Sequence, residues 1–86
     1  MTLNPRALAY AGAALWGGAV ALVGLCHLIW PSYGQAFLDL MASIYPGYRV
    51  AATFESVLIG TGYALLDGAV GGWVLAWLYN RLAAPR

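Results

Sequence analysis

Residues 7–30 read ALAYAGAALWGGAVALVGLCHLIW, an apolar run without a formal charge. At about 1.5 Å per helical residue, such a run crosses the roughly 30 Å hydrocarbon core of a bilayer with length left for tilt. Asn4-Pro5 just before it is a helix start, because Asn caps well and Pro suits the first helical position. Trp30-Pro31 is the stop, since the residue before proline avoids helical geometry. The run exceeds the roughly 7–15 residues of a signal-peptide core, so it is expected to be retained as a span.

A second apolar stretch, about 51–79, follows a connection over 31–50. Asn80-Arg81 is expected to close it, with Pro85 preventing extension. The predicted fold is an all-α membrane protein, a two-helix transmembrane hairpin over residues 1–86. Trp30 and Tyr33 at one end, and Trp73, Trp77 and Tyr79 at the other, suit interfacial aromatic belts. Within the connection, Phe37, Leu38, Met41, Ile44 and Tyr45 recur at helical spacing, and Ser32 with Gln35 resembles a capping box. This segment reads as a short amphipathic helix at the membrane surface, with a folded re-entrant loop as the alternative. Pro46-Gly47 then makes a type II turn, with glycine supplying the positive φ.

Composition supports a membrane chain. It is 63% hydrophobic and 8% charged, with mean hydropathy +0.74, against about 25% charged in a typical soluble chain. A net charge of +1 offers nucleic acid no electrostatic footprint. The single cysteine, Cys26, excludes an internal disulfide and reads as a small packing residue. Arg6, Arg81 and Arg86 flank the outer ends and the connection holds only Arg49. The positive-inside rule therefore predicts cytoplasmic termini.

Small residues recur every four positions. The second span carries Ser56, Gly60, Ala64, Gly68, Gly72 and Ala76, and the first carries Ala9, Ala13, Gly17 and Ala21. Such residues let backbones approach closely where lipid supplies no hydrophobic drive, a glycine-zipper pattern. Each four-residue step drifts about 40° round a helix. The second stripe thus winds past what one straight partner covers, and part of it is expected to meet a further helix. A single right-handed crossing, with lipid on the remainder, is the alternative.

Three ionisable residues fall within the spans. Asp67 lies near the middle of the second, where a carboxylate costs about 2.5–3.5 kcal/mol on insertion scales. It is read as a protonated packing element, as a contact to a partner helix, or as part of a water path. Its candidate donors are the Trp16 indole at matching depth and Tyr63 one turn earlier. His27 and Glu55 share a depth near the connection and are expected to pair across the hairpin. A minor alternative gives His27 a haem or chlorophyll to ligate; otherwise no cofactor or metal is expected. No nucleophile–base pair, phosphate loop or metal-ligand spacing is present, so no enzyme activity is expected.

The segments Leu15-Trp16-Gly17, Tyr33-Gly34, Ser43-Ile44-Tyr45-Pro46-Gly47-Tyr48, Asp67-Gly68, Gly71-Gly72 and Ala76-Trp77-Leu78-Tyr79-Asn80 carry a resemblance. Together they look like a family of small bacterial two-span proteins often labelled bacteriophage holins. The resemblance implies a hairpin in the bacterial inner membrane, and the label implies oligomerisation into a lesion. Holins typically end in a strongly charged tail, whereas the tail here is only Arg81 to Arg86. Two functional expectations follow. One is an accessory subunit packed by its small-residue stripes against a larger membrane complex. The other is a holin-like homo-oligomer made of copies of the chain. The partners are thus the lipid bilayer and other transmembrane helices. The accessory expectation is preferred, because apart from Asp67, Thr61 and Tyr63 the span centres offer nothing polar to line a pore.

Overall fold

The first helix begins where a cap was expected. In the computed structural model, which describes residues 2–83, Asn4 Oδ1 accepts from the amides of Arg6 and Ala7 at 3.0 and 3.2 Å. Helix α1 runs Pro5–Ile29. It ends as Trp30 turns extended, at φ −120° and ψ 98°, ahead of Pro31. Helix α2 spans Gln35–Ile44 and helix α3 spans Phe54–Ala83. All regular structure among the described residues is helical. Pro85 and Arg86, assigned roles above, lie outside the described residues.

Two local expectations change. The start of α2 is not a Ser32 capping box: Gly34 stands at its N-cap with φ 67°, and Gln35 Nε2 instead donates to Asp39 Oδ1 at 2.9 Å. Gly34 also packs on the Val23 side chain, leaving no room for a Cβ. The second span begins later and ends later than 51–79. Thr53 Oγ1 accepts from the Ser56 amide at 3.2 Å and fixes the start. Asn80 does not close the helix, because its amide is spent on the backbone of Leu3, giving and receiving at 2.8 and 2.7 Å. The Pro46-Gly47 turn has the expected form, with Gly47 at φ 80° and the Tyr48 amide bonded to the Tyr45 carbonyl at 3.2 Å.

Helices α1 and α3 form an antiparallel hairpin, within an envelope of 52 × 19 × 18 Å. A Cβ on Gly12 would strike the Gly68 carbonyl, one on Gly72 the Leu8 carbonyl, and one on Gly24 would lie 3.2 Å from Val57. Glycine is therefore what lets the two backbones meet. Both helices are long and apolar enough to cross a membrane, yet only 22% of each apolar window is buried. A core helix of a soluble protein would be mostly buried. Here Leu15, Leu22, Ile29 and Leu66 instead turn outward, 62–78% exposed.

The connection departs most from expectation. A helix lying flat across the end of the hairpin would stay clear of the span centres. Instead α2 turns back along the pair, so that Leu38, Met41, Tyr45 and Tyr48 form one buried cluster with Val20 and Ala64. The next segment returns to the start of α3, where Ser56 Oγ donates to the Arg49 carbonyl at 2.7 Å. The arrangement observed is a connection folded back on the hairpin. Its physical cause is the apolar face of α2, which the hairpin itself covers.

Candidate functional site

The polar groups at mid-hairpin form a single relay. Trp16 Nε1 donates to the Tyr45 hydroxyl at 2.9 Å, and that hydroxyl donates to Asp67 Oδ2 at 2.9 Å. Trp16 and Asp67 lie close to the midpoints of α1 and α3. Tyr45 follows directly on α2, so the fold-back of the connection delivers its hydroxyl there. Aromatic packing fixes the ring. Tyr63 stacks on it at 5.2 Å and 14°, and Tyr48 meets it edge-on at 6.4 Å. Phe37 in turn holds Trp16 edge-on at 5.8 Å. Tyr63 donates to the Pro46 carbonyl, tying the turn to α3.

Asp67 was expected to be served by Trp16 or by Tyr63. Neither reaches it. Trp16 acts one step removed, through Tyr45, and Tyr63 is engaged elsewhere. Tyr45 was placed on the apolar face of the connecting helix, so its hydroxyl was missed. A signal was available: a tyrosine on a buried face usually brings its hydroxyl to a polar partner. Among the described residues, Oδ2 with its tyrosine accounts for all the bonding of the Asp67 carboxylate, and the residue is exposed on the flank of α3. The site is thus a carboxylate oriented by one donor and open on its other side.

His27 and Glu55 do not pair. His27 is 4% exposed and its Nδ1 lies 3.1 Å from the Tyr33 carbonyl. A carbonyl can only accept, so Nδ1 carries the proton and the ring ties the turn after α1. Glu55 is exposed, because its neighbours Ser56 and Val57 take the inward positions of that helical turn. Cys26 is a free, half-buried thiol.

The stripes are used, but by this chain itself. Ser56, Gly60, Ala64, Gly72 and Ala76 are buried and Gly68 is half-buried. Helix α1 covers Gly68 and Gly72, while the Tyr48 ring covers Gly60, 2.8 Å from where a Cβ would stand. The folded-back connection is therefore a second cover on the winding stripe, at Gly60. On α1, Gly17 is buried and Ala13 and Ala21 are half-buried. Its closest approaches come from Gly12, Gly17 and Gly24, so Gly12 and Gly24, both absent from the predicted stripe, are the missed packing residues. Three glycines, Gly18, Gly62 and Gly71, face open space. Compared with family models, with curated proteins and with solved structures, the chain matches none.

Proposed function

We propose that this chain is a non-catalytic integral membrane subunit that packs beside a helix of a larger membrane complex. The contact is the flank of α3 carrying Asp67 and Gly71. The observation that carries this reading is Asp67 itself, an exposed carboxylate at the centre of an apolar helix. Facing lipid, it costs about 2.5–3.5 kcal/mol on insertion scales. A donor from a neighbouring helix recovers that cost. Gly71 lies one turn further along the same side with nothing within 4 Å of its missing Cβ, so a neighbouring backbone fits closely there. The membrane is the bacterial inner membrane, with both termini cytoplasmic by the positive-inside rule and the holin-like resemblance as support for the hairpin.

The test uses native protein extracted in mild detergent and sized. Co-migration with a larger complex at fixed stoichiometry is expected. The Cβ of Gly71→Leu meets nothing within 4 Å inside the chain, and Asp67→Asn keeps an acceptor for Tyr45. Both are expected to release the subunit while far-UV circular dichroism stays unchanged. A discrete homo-oligomer that conducts ions in liposomes, or full retention of both variants in the complex, overturns the reading.

A further inference from the structure

The end of the hairpin that carries the termini holds a groove of unusual chemistry. Two adjoining hollows of about 470 and 420 Å³ share Pro5 and Trp73. Arg6 lines one and Arg81 the other. The double hydrogen bond between Asn80 and Leu3 holds the N-terminal segment against α3, so residues from opposite ends of the chain meet on one surface. Trp73 and Trp77 form the apolar wall, each about half exposed, at 51% and 47%. The Arg81 guanidinium lies over the Trp77 ring at 5.4 Å, which orients it without neutralising it.

Among the described residues, this end has no acidic side chain. The chain has three acidic residues: Asp39 is in α2, Glu55 at the far end of α3, and Asp67 at mid-length. The basic residue of the connection contrasts with this, because Arg49 shares its hollow with Glu55. Two arginines with no acidic side chain beside them among the described residues, next to half-exposed tryptophans at the end of two apolar helices, match one ligand chemistry. That ligand carries a phosphate anion and an apolar tail.

We infer that this groove binds an anionic phospholipid, its phosphate between Arg6 and Arg81 and an acyl chain along Ala9 and Trp73. A free phosphate would leave the apolar wall unused. The inference rests on the membrane placement proposed above but not on the partner complex. Near an anionic surface, each basic residue contributes roughly a fivefold preference, so two give about thirtyfold.

Native mass spectrometry of the full chain in detergent, with equal phosphatidylglycerol and phosphatidylcholine of the same acyl chains, reads this directly. Phosphatidylglycerol adducts are expected in about thirtyfold excess, falling about fivefold in Arg6→Gln or Arg81→Gln and vanishing in the double variant. Arg49→Gln is expected to leave the preference intact, and millimolar inorganic phosphate to leave the lipid bound. Equal adducts of the two lipids in the wild-type chain overturn the site. So does an Arg49→Gln effect equal to that of Arg81→Gln. Displacement by inorganic phosphate would assign the groove to the free ion instead. Recovery of the chain in the aqueous phase without detergent defeats the membrane placement itself, an outcome separate from these.

Discussion

Gly68→Ala adds a single methyl group where α1 and α3 come closest. The new Cβ would overlap the Gly12 carbonyl oxygen, lie 2.8 Å from the Gly12 carbonyl carbon and 2.9 Å from the Trp16 Cβ. Carbon atoms rest at about 3.5–4.0 Å, so the helices must part by about 1 Å at this point. The obstacle is backbone, which cannot swing aside as a side chain does. A gap of that size forfeits a quarter to a half of each contact worth about 0.1–0.2 kcal/mol. Over on the order of fifty atom pairs along the crossing, the loss is about 2–3 kcal/mol. Alanine returns up to about 1 kcal/mol through helix propensity. The net expectation is a destabilisation of about 1–2 kcal/mol.

Reversible unfolding in mixed micelles, titrated with a denaturing detergent and followed by far-UV circular dichroism, measures it. Two comparisons sharpen the test. Gly12→Ala needs the same separation of the helices, so the double variant should cost little more than the worse single one. Gly18→Ala meets nothing within 4 Å and should be neutral or stabilising by up to about 1 kcal/mol. A Gly68→Ala chain as stable as the wild type, or a Gly18→Ala chain as damaged as Gly68→Ala, would refute the claim that backbone contact at this crossing holds the hairpin.

Tyr45→Phe removes the acceptor of Trp16 and the donor to Asp67 together, and should cost about 1–3 kcal/mol in the same titration because buried polar groups lose their partner; an unchanged midpoint would show that the relay holds nothing. Asn80→Ala breaks both bonds to Leu3, for a loss of about 1 kcal/mol; amide exchange at Leu3 should quicken, and unaltered exchange would count against the clamp. Thr61→Val should stabilise the hairpin by about 1 kcal/mol or more, because Thr61 Oγ1 is buried without a partner among the described residues; a less stable variant would mean that the hydroxyl is bonded after all.

Much of the hairpin was legible because its signals are local. Asn4-Pro5, Trp30-Pro31 and Pro46-Gly47 act within a few residues, and each does in the structure what its chemistry dictates. Depth matching also worked, since two antiparallel helices of constant rise must pair residues at a nearly fixed sum; Gly17 meets Leu65 and Gly24 meets Val57. Side-chain direction was not fixed by depth. His27 and Glu55 share a level, yet one points inward to the Tyr33 carbonyl and the other outward. The end of α3 failed for a similar reason. Asn80 looks like a terminator only until its amide is known to have a distant partner.

The placement of α2 turns on a distinction that the sequence carries weakly. A helix lying at a water boundary needs a broad polar face, whereas α2 has only the narrow line Gln35, Asp39 and Ser43. That line satisfies much of its own hydrogen bonding, since Gln35 donates to Asp39 and Ser43 Oγ donates to the Leu40 carbonyl at 2.6 Å. Leu38 and Met41 face the hairpin, 1% and 5% exposed, while Leu40 and Ile44 face away, 56% and 60% exposed. Apolar residues therefore lie on both sides of the polar line. A helix built this way gains from cover on more than one side, and the hairpin supplies the first cover through Val20 and Ala64. Folding back is then what carries the Tyr45 hydroxyl to mid-hairpin. The width of the polar stripe on α2, more than the periodicity of its apolar residues, thus connects the sequence of the connection to the orientation of Asp67.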